Sequence, residues 1–151
     1  MKKFIFRLES LLIYRNHLEY IARQEMAEAY RQVKALEESI FRLKEEFSAA
    51  AQQLDTASAR GITARMFKEY TDYLNAVERD IAAETDRKKT LEKALWKSQD
   101  RLREKSVDRK AIERLKEKQK KQYVDEFLKV EQKSLDEVMA LKKAREINNE
   151  S

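Results

Sequence analysis

The sequence contains no cysteine, no proline and a single glycine among its 151 residues. Without cysteine, the chain can form neither a disulfide nor a thiolate metal site, and it has no thiol nucleophile. Sheets and short-looped bundles need turn residues at each connection, so the scarcity of glycine and proline argues against both. A single glycine also excludes a glycine-rich phosphate-binding loop. The chain is therefore expected to consist of helices with very few connections.

Long apolar runs are also missing, whereas charged residues are abundant. No stretch approaches the roughly 20 apolar residues of a membrane span. Near the start of the sequence, Arg7 and Glu9 interrupt the apolar run that a signal peptide needs, so we expect a mature cytoplasmic protein. Charged residues make up 40% of the chain, and Ala, Glu, Lys, Leu and Arg dominate it. This composition is typical of long helices or a coiled coil.

Apolar residues recur every three and four positions along the first 60 residues, as they do in a coiled coil. One heptad register runs without a slip from Ile5 to Ala57, and apolar residues fill nearly all of its a and d positions. A second register follows from Phe67 to Ile112 and weakens toward its end. After about Gln122 the apolar residues change phase. The a and d positions of both registers together are called the seam below.

The only plausible turn lies between the two registers. Gly61 can adopt the left-handed conformation that ends a helix, and Thr63 can cap the next one. The sequence therefore predicts one domain, a two-stranded antiparallel coiled-coil hairpin of class all-α. Its expected boundaries are helix one at about 4–60, a turn at about 61–63 and helix two at about 64–147, within a single domain of residues 1–151.

Folding the helices back at this turn places residues opposite each other when their numbers add up to about 124. Leu12 then faces Ile112, whereas Arg15 faces Arg109 and Leu36 faces Lys88, two combinations that fit poorly. Helix two is longer than helix one and extends past its end, so the apolar residues from Val124 to Leu141 have no partner within the hairpin. An exposed apolar stripe of this kind usually marks an interface.

The predicted hairpin offers no chemistry for catalysis. An enzyme needs polar groups that converge in a cavity, and two paired helices enclose no space for one. His17, the only histidine, falls on an outer heptad position and is expected to point into solvent. We therefore predict no enzymatic activity, no catalytic residues, no cofactor and no metal site.

Positive charge is concentrated in residues 97–122, which hold eleven basic and five acidic residues. A basic helix can bind nucleic acid, an anionic membrane or an acidic protein surface, or can simply be solvated. Aromatic residues suited to base stacking are sparse there, so a nucleic-acid partner is not expected. The basic patch that we single out consists of Lys116, Lys118, Lys120 and Lys121.

Three parts of the sequence resemble the FliJ family of the bacterial flagellar protein-export apparatus. They are the opening Phe4-Ile-Phe6-Arg-Leu8-Glu-Ser-Leu11-Leu12 with Arg15 and Glu19, the turn Gly61-Ile62 followed by Tyr70, Tyr73, Val77 and Ile81, and the end with Tyr123, Glu126 and the run Glu131 to Glu137. The resemblance implies a fold similar to the stalk of the gamma subunit of rotary ATPases. It also implies a non-enzymatic component that works on the cytoplasmic face of the inner membrane at the flagellar base.

The same resemblance implies three partners: the hexameric export ATPase, the cytoplasmic domain of the integral-membrane export gate, and export chaperones. Gate contacts, carried over by position, fall near the tip at Leu43, Ala50, Tyr73 and Val77. Leu43, Ala50 and Val77 are also seam positions, where the simpler interpretation is core packing. By likeness to a rotary stalk, the ATPase would bind the free end of helix two through Tyr123, Val124, Phe127, Leu128, Leu135 and Val138. Two alternatives stay open, a stalk of a virulence-type secretion system and a nucleic-acid-binding basic coiled coil.

Overall fold

The computed structural model describes residues 2–150 and contains two long helices. Helix α1 spans Glu9–Arg60 and helix α2 spans Ala64–Glu150. No residue between 2 and 150 lies in a β-strand, and the two helices pack against each other. The predicted all-α hairpin fold is thus confirmed. Within the same range, neither helix has a segment apolar enough to cross a membrane.

The connection between the helices has the geometry that its residues favour. Gly61 has a φ angle of 89°, in the left-handed region, and its N–H donates to the carbonyl of Ser58 at 3.2 Å. The Thr63 hydroxyl accepts a hydrogen bond from the N–H of Met66 at 3.2 Å, so Thr63 caps α2 as predicted. One glycine and one capping residue are therefore sufficient to form the turn.

The start of helix one differs from the sequence prediction. Helix α1 begins at Glu9 and not near residue 4, and residues 2–8 form a non-helical segment that we call the N-terminal strap. Within the strap Phe6 is buried, whereas Ile5, which the heptad register placed in the core, is exposed. The register fails here because helical spacing no longer applies to a chain that has left the helix. At the other end, α2 continues to Glu150, three residues beyond the predicted 147.

The chain divides into two compact units, which are described separately. The first unit contains residues 2–18 and 105–150. Its core is formed by the buried side chains of Phe6, Leu12 and Ile112, against which Phe4, Leu11 and Leu115 pack. The predicted packing of Leu12 with Ile112 is thus confirmed.

The second unit contains residues 19–104, and its core lies along the predicted seam. Seven of its apolar side chains are buried, and all seven occupy a or d positions: Ala22, Val33, Leu36, Ile40, Ala50, Val77 and Leu95. Two ion pairs join the helices beside this core, Lys88 with Glu37 at 3.6 Å and Arg101 with Glu25 at 3.2 Å. Every other seam residue of this unit is at least half-buried, except Phe67, which is exposed next to the turn.

Candidate partner-binding surfaces

Two open cavities lie next to each other at the tip of the second unit. The larger one, of about 620 Å³, is lined by Ala49, Gln52, Gln53, Thr56, Ala57, Arg60, Gly61, Ile62 and Tyr70. The smaller one, of about 330 Å³, is lined by Ala50, Gln53, Met66, Glu69, Tyr70 and Tyr73. Two small seam residues contribute to their walls, Ala57 in the larger cavity and Ala50 in the smaller one. Gln53 and Tyr70 line both cavities, and we call the two adjoining cavities together the recess of the tip.

The four residues assigned to the gate by resemblance have different environments at this tip. Ala50 and Val77 are buried in the core, and Leu43 is half-buried. Tyr73 is exposed, and it lines the smaller cavity. Of the four, Tyr73 is thus the side chain that a partner can reach without unpacking the helices. The gate contacts predicted from the resemblance did not include Tyr70 and Met66, which also line the smaller cavity.

The N-terminal strap makes a surface on the first unit that the heptad pattern does not predict. The ring of Phe4 packs on the ring of Tyr123, and the Tyr123 hydroxyl donates a hydrogen bond to the carbonyl of Lys2. Tyr123 is consequently half-buried and does not belong to an unpartnered stripe. An adjoining cavity of about 580 Å³ is lined by Lys3, Phe4, Ile5, Phe6, Glu9, Lys116 and Lys120.

The four lysines of the predicted basic patch are not equivalent. The Lys116 ammonium lies 2.8 Å from the Glu9 carboxylate and 6.0 Å from the centre of the Phe6 ring, so it helps to hold the strap. Lys118, Lys120 and Lys121 are exposed. Lys3 lines the same cavity as Lys120 and adds a cation to this surface, although the two residues are far apart in the sequence. The exposed lysines can attract an acidic partner.

The last part of α2 is the most exposed part of this helix among the described residues. We call residues 124–150 the C-terminal extension. Every residue from 128 to 150 is exposed, including Leu128, Leu135 and Val138, and Val124 is exposed as well. Phe127 is half-buried. Of the six residues assigned to ATPase binding, these four exposed ones form an apolar surface that is open to a partner.

Two titratable groups on the surface of α1 have pKa values that are shifted by neighbouring side chains. Arg31 donates a hydrogen bond to Glu28 at 2.7 Å and adds its positive charge, which lowers the pKa of Glu28. The pKa of Lys34 is raised through its electrostatic interactions with Tyr30 and, secondarily, with Glu37. Both groups lie on the outer surface of α1. His17 is exposed, and no group of three or more potential ligands within residues 2–150 could hold a metal ion.

A family model described as "Flagellar FliJ protein" matches residues 3–147. The chain belongs to this family. The match includes nearly all of the strap, the whole of α1, the turn and α2 up to residue 147. No curated protein and no solved structure matches the chain.

Membership in the FliJ family makes this chain a component of the flagellar protein-export apparatus, in a family whose members are non-catalytic. The resemblance detected in the opening, turn and closing motifs is thereby confirmed. The matched family is the flagellar one, which favours flagellar export over the virulence-type alternative. Of the sequence motifs, the opening one carries the strap residues Phe4 and Phe6, which the structure places on α2.

Proposed function

We propose that this FliJ-family chain is a non-enzymatic stalk that connects the flagellar export ATPase to the membrane export gate. In this proposal it binds the ATPase hexamer, the cytoplasmic domain of the gate and export chaperones. It acts in the cytoplasm, on the inner face of the membrane at the flagellar base. No cofactor, metal or nucleic acid takes part. Family membership supports the assignment to the export apparatus, and two separate accessible surfaces support a connecting role.

The observation that carries the proposal is the uncovered apolar side of the C-terminal extension. Burying an apolar side chain of the size of valine or leucine stabilises by about 1.5–3 kcal/mol, so several exposed ones on one helix indicate a partner. Val124, Leu128, Leu135 and Val138 are all exposed. A central channel formed by six ATPase subunits is a suitable partner, because it can surround a helix on all sides.

The exposed lysines next to the extension support the same assignment. Lys118, Lys120 and Lys121 lie within the last turns before residue 124 and are exposed. Charges at the rim of an interface accelerate association more than they strengthen the final complex. We therefore assign these lysines to the capture of an acidic ring entrance, and the apolar residues of the extension to the bound state.

The tip of the second unit is proposed to bind the gate through Tyr73 and the adjoining recess. Large aromatic side chains with a pocket beside them are the type of residue that dominates protein interfaces. Leu43, Ala50 and Val77 would then act indirectly, because they pack beneath this surface and hold the helices at the correct distance. The gate assignment rests on resemblance and on the exposure of Tyr73.

The proposal is tested by measuring stimulation of the purified export ATPase. Replacing Leu128 and Leu135 together by alanine should abolish stimulation and ATPase ring assembly, while circular dichroism shows an unchanged melting temperature. The matched control replaces Ile13 and Phe41, two equally exposed apolar residues of α1, and should keep full stimulation. A chain truncated after Gln122 that still stimulates the ATPase fully would contradict the proposal.

A further inference from the structure

The C-terminal extension has a second property besides its exposure, namely a heptad register of its own. Residues 124, 128, 131, 135, 138, 142 and 145 are spaced alternately by four and three positions and therefore share one side of the helix. Val124, Leu128, Leu135 and Val138 are the apolar members of this side, and Glu131, Lys142 and Arg145 are the charged ones. The helix is continuous over the whole segment. The register is that of a coiled-coil strand that lacks its second strand.

Two charged residues on this side of the helix have opposite signs, Glu131 and Lys142. A parallel pair of such segments would place Glu131 against Glu131 and Lys142 against Lys142. An antiparallel pair can instead place Glu131 of each strand opposite Lys142 of the other, and this arrangement is favoured because charges along a coiled coil set the orientation of its strands.

We propose that the extension pairs with the same segment of a second copy of this chain as an antiparallel two-stranded coiled coil. The register that pairs a with d positions puts Leu135 opposite Val138, Glu131 opposite Lys142 and Leu128 opposite Arg145. The two-fold axis passes between residues 136 and 137, so each of these contacts occurs twice. Four apolar side chains form the centre, and an ion pair on each side of it fixes the register.

This pairing goes beyond the proposed function, because it requires only the chain itself and is tested without the ATPase. It also has a consequence for that function. Leu128, Leu135 and Val138 cannot face a second copy and a different partner at the same time. Self-association thus covers the apolar side of the extension while no other partner is bound, and it competes with any partner that uses this side.

The ion pairs provide the first test, by sedimentation equilibrium of the full-length chain over a range of concentrations. We expect a reversible dimer. Glu131→Lys and Lys142→Glu should each weaken it by about tenfold, since each replaces two attractive contacts by two repulsive ones. Combining both substitutions in one chain should restore the dimer, because the two charges are then exchanged. Lys133→Glu, an equal charge change on the outer side of the helix, should leave the dimer unchanged.

The orientation is tested by cross-linking, for which a chain without cysteine is well suited. Chains with Leu128→Cys and chains with Arg145→Cys are oxidised separately and as a mixture. The antiparallel register predicts a disulfide-linked dimer in the mixture and very little in either chain alone. A cross-linked dimer of the Leu128→Cys chain alone would mean parallel strands and would overturn the proposal. A chain that stays monomeric at all concentrations would overturn it as well.

Discussion

The ring of Phe4 packs against the ring of Tyr123, with 5.6 Å between the ring centres and 46° between their planes. The Tyr123 hydroxyl also donates to the carbonyl of Lys2, so the strap is held on α2 by an aromatic contact and a hydrogen bond. Further along α2, every residue from 128 onward is exposed. The strap thus contacts α2 at Tyr123, directly before the C-terminal extension, and Phe127 is the last half-buried residue of α2.

The strap gives a prediction from two neighbouring residues. Phe6 is 6% exposed and packs with Leu12 and Ile112, whereas the side chain before it, Ile5, is 80% exposed. Phe6→Ala should lower the free energy of unfolding by about 3 kcal/mol, the lower part of the range for a buried phenylalanine, because the strap can partly close the cavity. Ile5→Ala should change it by less than about 0.5 kcal/mol. Equal effects of both substitutions in urea unfolding would contradict the observed burial of the strap.

The seam of the second unit gives a similar comparison. Ile40 is 8% exposed in the core, and Phe41, the next residue, is 61% exposed. Ile40→Asp places an unpaired carboxylate in an apolar environment and should lower the melting temperature by ten degrees or more, on the order of what a buried charge costs. Phe41→Asp should leave melting nearly unchanged. Circular dichroism at 222 nm measures both, and a smaller loss for Ile40→Asp than for Phe41→Asp would disprove the assigned register.

The heptad pattern predicts the fold well, because the burial of a side chain in a two-helix hairpin depends mainly on its heptad position. Ala22, Val33, Leu36, Ile40 and Leu95 are all seam residues, and all are buried. The pattern fails at the strap, where the chain is not helical and the three- and four-residue spacing has no meaning. No heptad position could show that Phe6, and not Ile5, turns inward.

The seam positions that fit poorly in sequence are accommodated by long side chains. The Arg15 guanidinium donates to the main-chain carbonyl of Asp108 at 2.8 Å, and Arg109 pairs with Glu113 on its own helix. Each arginine thus has a hydrogen-bond acceptor. Neither acceptor is the facing side chain, so a comparison of facing side chains in the sequence does not reveal it. Lys88, opposite the buried Leu36, reaches Glu37 and Glu92, each at 3.6 Å. Its aliphatic stem can cover apolar surface while the ammonium group stays at the edge.

The candidate sites are less predictable from sequence than the fold. Resemblance placed Leu43, Ala50, Tyr73 and Val77 in one surface, but a family position does not reveal whether its side chain points into the core. The structure separates the exposed Tyr73 from the buried Ala50 and Val77. Tyr70 was not among the contacts carried over by position, and the two cavities that it lines at the tip become visible only in the structure.

Tyr73 allows a test of the tip with a closely matched control. Tyr73 and Tyr30 are of the same residue type and are 48% and 49% exposed, and both belong to the second unit. Tyr73→Ala should weaken binding to the cytoplasmic domain of the gate by tenfold or more, about 1.4 kcal/mol, as the loss of an interfacial aromatic anchor does. Tyr30→Ala should leave this affinity unchanged, and neither should alter melting. Isothermal titration calorimetry measures both affinities. If both variants lose the same affinity, or if neither loses any, Tyr73 is not the contact.

The basic patch gives a kinetic prediction about the ATPase. Lys118, Lys120 and Lys121 are exposed, so their charges act on an approaching partner through solvent. Replacing all three by glutamate should slow association with the ATPase by roughly tenfold at low salt and leave dissociation almost unchanged, because steering charges act before contact. Salt screens an attraction that the variant has lost, so its association rate should depend less on ionic strength than that of the natural chain.

The control for this measurement carries the same change of charge elsewhere. Lys44, Lys68 and Lys89 are exposed residues of the second unit, and their replacement by glutamate alters the net charge equally. If attraction is local to the patch, this control should associate nearly as fast as the natural chain in stopped-flow or surface-plasmon measurements from low to high salt. Equal slowing of both triple variants would show that overall charge is responsible. Faster dissociation of the patch variant alone would instead place these lysines within the final interface.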